Sequence, residues 1–248
     1  MDLVISAATH RTGSTLLQRM FNARDKTLIW GENGGCLTDF YRVFENANHY
    51  ASLRHRNAYF NNNEDPNQWI ACMTPPKNEV EAAMIETVKA FHEGLYEKNY
   101  SDQHDLIGYK EVRYEKKELL LLRKCYPNCT VVLLVRNPVD VWKSLSPRGR
   151  KENYGTLRHF TKIWNQRSKD YFELSQLDPK MHLIRYEDIN TRQSETLNLI
   201  KKLGHLEDEE IKIVLDKKIN SSSTPLPLQT ETFILERCGK FMKTLEYI

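Results

Sequence analysis

Residues 3–20 read Leu3-Val4-Ile5-Ser6-Ala7-Ala8-Thr9-His10-Arg11-Thr12-Gly13-Ser14-Thr15-Leu16-Leu17-Gln18-Arg19-Met20, an apolar run, a short polar loop and then a helical pattern. Leu3–Ala8 has the length and composition of a buried strand, while Leu16, Leu17 and Met20 are spaced for one face of a helix over Ser14–Phe21. A loop between a strand end and a helix start is suited to an anion, because first-turn N–H groups lack intrahelical acceptors and carry the positive end of the helix dipole. The nucleoside triphosphate loop G-x-x-x-x-G-K-[ST] is the natural comparison. Here Ala8 stands at its first glycine, Gly13 at its second, Ser14 at its lysine and Thr15 at its magnesium-binding hydroxyl, and the cation has moved forward to Arg11.

The pattern continues outward. Thr27–Trp30, Leu106–Lys110, Thr130–Val135 and Met181–Arg185 are strand candidates, and Thr130–Val135 is β-branched and apolar throughout, as expected of a parallel strand covered on both faces. Helices are expected over Asn78–Lys98, with Asn78 as cap and Val80, Met84, Val88, Phe91 and Leu95 on one stripe. Others are expected over Glu115–Cys125, after Pro138 and over Tyr154–Leu174. Cys36–Lys77, rich in aromatic residues, Asn and His and including Asn61-Asn62-Asn63, reads as a helix and a long irregular segment. Alternating strands and helices predict a three-layer α/β/α fold with a mostly parallel central sheet. A chain of 248 residues suits one domain over 1–248, with 36–77 as an acceptor-binding insertion.

Composition excludes several classes. The net charge of +3 is too mild to argue for nucleic acid, though it suits a small polyanion. Val131–Val135 and the other apolar runs are too short to span a bilayer, and Met1–Ala8 has no signal-peptide pattern. Cys36, Cys72, Cys125, Cys129 and Cys238 are odd in number and scattered; Cys125 and Cys129 have no neighbouring Cys or His pair to complete a zinc site. A reduced, cytoplasmic protein is expected.

A second constellation joins the first loop. The strand Thr130–Val135 ends at Arg136, where a magnesium-dependent enzyme would want an acid. Arg136-Asn137-Pro138 then leads to Ser144 and Arg148, which can offer guanidinium and hydroxyl groups to a phosphate. HRTGSTLLQRM and VVLLVRNPVDVWKSL together resemble the two phosphate-binding motifs of the sulfotransferases that use 3′-phosphoadenosine-5′-phosphosulfate (PAPS), in that family's order and separation. The resemblance implies a P-loop-like sulfotransferase fold and a metal-independent donor. It implies that Arg11, Thr12, Gly13, Ser14 and Thr15 hold the 5′-phosphosulfate, and that Arg136 and Ser144, with Arg148 in addition, hold the 3′-phosphate. Tyr186 matches a family tyrosine near the nucleotide, and Ser222 lies in a Ser221–Thr224 loop similar to a late cofactor-covering loop. The Arg-Lys-Gly triplet of the cytosolic branch is missing, so the chain looks nearer to the bacterial and protein-tyrosine sulfotransferases.

Sulfuryl transfer needs an aligned acceptor, a base and neutralisation of the leaving phosphate. Glu32, after the strand Thr27–Trp30, matches the Gly-Glu base of the protein-tyrosine branch, and some elevation of its pKa would suit that task. Lys110 matches a family lysine at the transferring group, and Arg11 is a second candidate for the leaving oxygen. His10 and His49 rank behind Glu32 as bases. The expected activity is sulfuryl transfer to a hydroxyl or amine of a small acceptor, such as a natural product, releasing 3′,5′-ADP. Trp30, Phe40, Tyr41, Phe44, Tyr50, Tyr59, Phe60 and Trp69 suggest an aromatic acceptor pocket. Two rivals remain at this point: a P-loop kinase of a small metabolite, which lacks the lysine at Ser14 and the acid near Arg136, and a 3′,5′-ADP-binding module without catalysis. Oligomeric state is not legible.

Overall fold

A computed structural model describes residues 1–51, 65–68, 74–217 and 225–248. Five strands, β1 (Leu3–Ala7), β2 (Thr27–Trp30), β3 (Leu106–Glu111), β4 (Thr130–Val135) and β5 (Met181–Arg185), form one sheet in the order β2-β3-β1-β4-β5. Every pairing is parallel. β1 is therefore the middle strand, and all five of its residues are buried. Successive side chains along a strand face opposite ways. Leu3, Ile5 and Ala7 accordingly join one apolar cluster and Val4 the other. Two cores back to back on one sheet make the three-layer α/β/α arrangement expected from the sequence.

The face of Leu3 and Ile5 is covered by α1 (Ser14–Phe21), α9 (Ser194–Gly204) and α10 (Asp208–Leu215), through Leu17, Met20, Phe21, Ile200 and Ile211. The other face carries α2 (Cys36–Ala51), α3 (Lys77–His92), α4 (Lys116–Cys125), α7 (Leu157–Leu177) and α11 (Leu228–Thr244). The short helices α5 (Pro138–Ser144), α6 (Pro147–Tyr154) and α8 (Tyr186–Asn190) follow the ends of β4 and β5. Gly108 lets β3 approach β1: a β-carbon there would stand 1.7 Å from the Leu3 carbonyl oxygen.

Several boundaries differ from the sequence reading. Asn78 does not cap α3; Pro76 holds that position and the helix starts at Lys77. Helix α3 ends at His92 and passes into a π-helical turn over Glu93–Glu97. The buried stripe runs Met84, Val88, His92, Tyr96, while Phe91 and Leu95 are exposed. Tyr154 closes α6 rather than opening α7, because Gly155 turns the chain at φ 67°. Glu115 is the cap of α4, forming a reciprocal capping box with Glu118. Ser222, Tyr59, Phe60, Trp69 and Asn61–Asn63 lie outside the described residues.

Candidate active site

The five parallel strands all end on one side, and ligands in open α/β sheets bind in the crevice there. A cavity of about 430 Å³ occupies that crevice, lined among others by His10, Arg11, Gly13, Ser14, Thr15, Arg19, Glu32, Lys110, Arg136 and Tyr186. Its volume is that of a small-molecule site. Among the described residues, four cationic side chains, Arg11, Arg19, Lys110 and Arg136, line it and Glu32 is the one carboxylate in its wall.

The loop after β1 is shaped by backbone conformation. Arg11 has φ 65° and Gly13 φ 98°, and Gly13 is the residue from which α1 starts. Both geometries are costly for ordinary side chains and cluster at functional sites. The N–H groups of Leu16 and Leu17 turn to the Gly13 carbonyl, so those of Ser14 and Thr15 are the ones left for a ligand at the helix start. Tyr186 packs against Gly13 so closely that a β-carbon would meet its Cδ2 at 2.2 Å. The Thr12 hydroxyl is turned inward, buried and donating to the Thr9 carbonyl at 2.6 Å.

Arg136, at the end of β4, donates to the Arg11 carbonyl at 2.9 Å and lies over the Tyr186 ring, 4.3 Å from its centroid. Its own carbonyl accepts from the Trp164 indole at 2.9 Å. Its Nε is buried with no partner among the described residues. An orphaned guanidinium nitrogen, uncommitted first-turn amides and a glycine held open by an aromatic ring fit a phosphate-bearing ligand. Ser144 and Arg148 do not reach this cavity. Ser144 is buried and donates to the Val141 carbonyl at 2.8 Å, and Arg148 is exposed on α6, paired with Glu152 at 2.7 Å.

Glu32 and Lys110 meet. Lys110 Nζ donates to Glu32 Oε1 at 2.6 Å, and Arg113 donates to Oε2 at 3.0 Å. Burial pushes the Glu32 carboxyl upward, but Lys110 and Arg113 together outweigh it and hold the group below its ordinary value. The elevation expected from the sequence is thus reversed, because two cations converge on one carboxylate. His10 lines the same cavity, with its N–H donating to the Tyr154 hydroxyl at 3.0 Å. Burial first, then Arg113, lowers its pKa, so the ring is neutral near pH 7. His49 is exposed near the end of α2, packed edge-on to Tyr50.

The sequence reading missed Arg19, Arg113 and Glu111. Arg19 follows Thr15 by one helical turn, a spacing that places both on one side of α1. Arg113 and Glu111 lie in the stretch Gly108–Arg113 around Lys110 but were given no role of their own. The expected aromatic acceptor wall is partly described: Tyr41 and Phe44 line a separate groove of about 380 Å³ with Leu120 and Leu121, and Tyr50 is exposed. Among the described residues no cluster of His, Cys, Asp and Glu could hold a metal ion, and no helix is long and apolar enough to cross a membrane.

A sulfotransferase family model matches residues 4–210. The sulfotransferase domain of the Synechococcus PCC 7002 olefin synthase superposes with a TM-score of 0.58 at 15% identity, covering 97% of this chain and 94% of that domain. The sulfotransferase STF9 from Mycobacterium avium superposes with a TM-score of 0.55 at 8% identity, covering 97% of this chain and 76% of that protein. No curated protein sequence matches the chain.

Proposed function

Because this chain belongs to the sulfotransferase family, we propose that it moves the sulfuryl group of PAPS to a hydroxyl or amine of a small acceptor and releases 3′,5′-ADP. The observation that supports this best is the cationic cavity at the strand ends, which Arg11, Ser14, Thr15 and Arg136 line together with Glu32 and Lys110. The amides of the loop after β1 and Arg11 bind the 5′-phosphosulfate; Arg136 binds the 3′-phosphate. Ser144 would join it by turning its hydroxyl away from Val141, while Arg148 and Ser222 are assigned by resemblance alone.

In this reading the acceptor oxygen or nitrogen attacks sulfur in line. The new bond to sulfur forms as the bond from sulfur to the 5′-phosphate oxygen breaks, and Glu32 takes the acceptor proton. Lys110, buried beside Glu32, offsets the charge that develops on the leaving oxygen, with Arg11 on the loop side. Fixed cations carry this neutralisation. Free thiols at Cys36, Cys125, Cys129 and Cys238 suit a reducing, cytoplasmic setting. Residues 36–77, including α2, are the proposed acceptor-binding insertion of a single domain.

The test pairs ligand binding with turnover. 3′,5′-ADP should raise the melting temperature, and ATP with Mg²⁺ should not; stabilisation by ATP–Mg²⁺ alone would favour the kinase. With PAPS and a panel of small alcohols, phenols and amines read by mass spectrometry, Glu32→Gln should lose at least about a hundredfold in turnover and keep its affinity for 3′,5′-ADP. Undiminished turnover in that variant would remove Glu32 as base, and binding without transfer to any acceptor would favour the non-catalytic module.

A further inference from the structure

Glu111 closes β3 and is fully buried, a placement that is costly for a carboxylate unless its charge and lone pairs are satisfied. Its Oε2 accepts the N–H groups of Gly35 at 2.8 Å and Asn33 at 3.2 Å. Its Oε1 accepts the Val112 N–H at 2.8 Å and the Arg113 guanidinium. These partners converge on Glu32. Asn33 and Gly35 belong to the loop that carries Glu32, and the Arg113 nitrogen that reaches Glu111 is the one that also reaches Glu32 Oε2.

Other contacts stiffen the same unit. Asn33 Oδ1 accepts from the N–H groups of Gly35 and Cys36, and its Nδ2 donates to the Tyr96 hydroxyl at 2.9 Å. Arg167 donates to the Val112 carbonyl at 2.9 Å and the Arg113 carbonyl at 3.0 Å. Charges alternate along the chain of contacts Lys110, Glu32, Arg113, Glu111. Lys110 lines the cavity beside Glu32 and Arg113 is not in its wall.

We propose that Glu111 and Arg113 are positioning residues for Glu32: Glu111 pins the loop that carries it, and Arg113 holds Oε2, so that Oε1 on the Lys110 side is the oxygen turned to the acceptor proton. This rests on the reading of Glu32 as the base. The groups facing Glu32 are Lys110 from β3, Arg113 after it and His10 from the loop after β1; Arg11, Arg19 and Arg136 line the same cavity, and Glu111 shares the Arg113 nitrogen. Removing Arg113 therefore leaves Lys110 as the remaining direct partner, and Glu32 becomes a stronger and less oriented base.

Carbon-13 NMR of protein labelled at glutamate carboxyl carbons follows Glu32 directly, its signal assigned by disappearance in Glu32→Gln. In Arg113→Gln the Glu32 titration midpoint should rise by about one pH unit, and Arg113→Lys should bring part of it back. Affinity for 3′,5′-ADP should stay within about twofold in both variants, since Arg113 does not line the cavity. Glu111→Gln should speed amide exchange at Gly35 roughly tenfold, the loss expected for one charged hydrogen bond. If Glu111→Gln does not fold, the Arg113 pair decides. A Glu32 midpoint indifferent to Arg113→Gln, or a tenfold loss of 3′,5′-ADP affinity in that variant, would overturn the inference. Undiminished turnover in Glu32→Gln would instead overturn the base assignment itself, so the two failures are distinct.

Discussion

At Gly13 one methyl group separates an open loop from a blocked one. A β-carbon would meet Tyr186 at 2.2 Å on a backbone already at φ 98°, and Tyr186 is in turn held under Arg136. Gly13→Ala should therefore cost about 1–3 kcal/mol of stability from backbone strain and weaken 3′,5′-ADP by at least tenfold as Tyr186 and Arg136 are displaced together. Urea unfolding and titration calorimetry read the two effects separately; an alanine variant with normal affinity would show that the ring contact does not shape the site. Glu32 shows how far residue type alone can carry a reading. Its place after β2 could be read from the chain, but the sign of its pKa shift could not, because Arg113 lies 81 residues away and nothing local joins the two.

At the scale of elements, the positions that build the site are ends of strands and starts of helices. α7 supports one of them from behind: the Trp164 indole, fully buried, donates to the Arg136 carbonyl. Trp164→Phe keeps a ring in the core and leaves that carbonyl unpaired. It should cost about 1–3 kcal/mol in urea unfolding, and a loss in 3′,5′-ADP affinity should accompany it because Arg136 is no longer anchored. Unchanged affinity would assign Trp164 to the core alone. Strands β2, β4 and β5 fall where the sequence placed them, since a short apolar β-branched run between turn residues has few alternatives. The helical run from Lys77 through the π turn to Glu97 matches the expected Asn78–Lys98 within a residue at each end, but its buried stripe differs. His92 is buried one α-turn after Val88, and the π turn at Glu93–Glu97, which takes in an extra residue per turn, then keeps Tyr96 rather than Leu95 on that buried side.

That stripe gives the whole molecule a pH dependence. His92 is fully buried among Tyr96, Tyr109 and Tyr126, and neither ring nitrogen has a partner among the described residues. Burial lowers its pKa from 6.5 to about 4. The unfolded chain therefore takes up a proton first, and the stabilisation, complete above pH 6.5, is lost as the pH falls through that value toward 4. The loss amounts to about 3 kcal/mol at the lower end. Urea midpoints measured from pH 7 to 4 should show this slope, and His92→Phe should flatten it; an equal slope in the variant would place the titrating group elsewhere.

Local chemistry in the sequence was enough to determine the α/β alternation and to place Arg11–Thr15 between β1 and α1 and Arg136 at the end of β4, because each depends on residues within one strand–loop–helix unit. Only the tertiary structure decided which groups share a cavity. Parallel pairing of β1 with both β3 and β4 carries Lys110 and Arg136 to the loop after β1, and pairing of β2 with β3 brings Glu32 to Lys110 and Arg113. It also turned Ser144 and Arg148 away, toward a helix carbonyl and a neighbouring carboxylate. Strand order and side-chain direction are long-range outcomes of packing two cores on one sheet, and no local pattern encodes them.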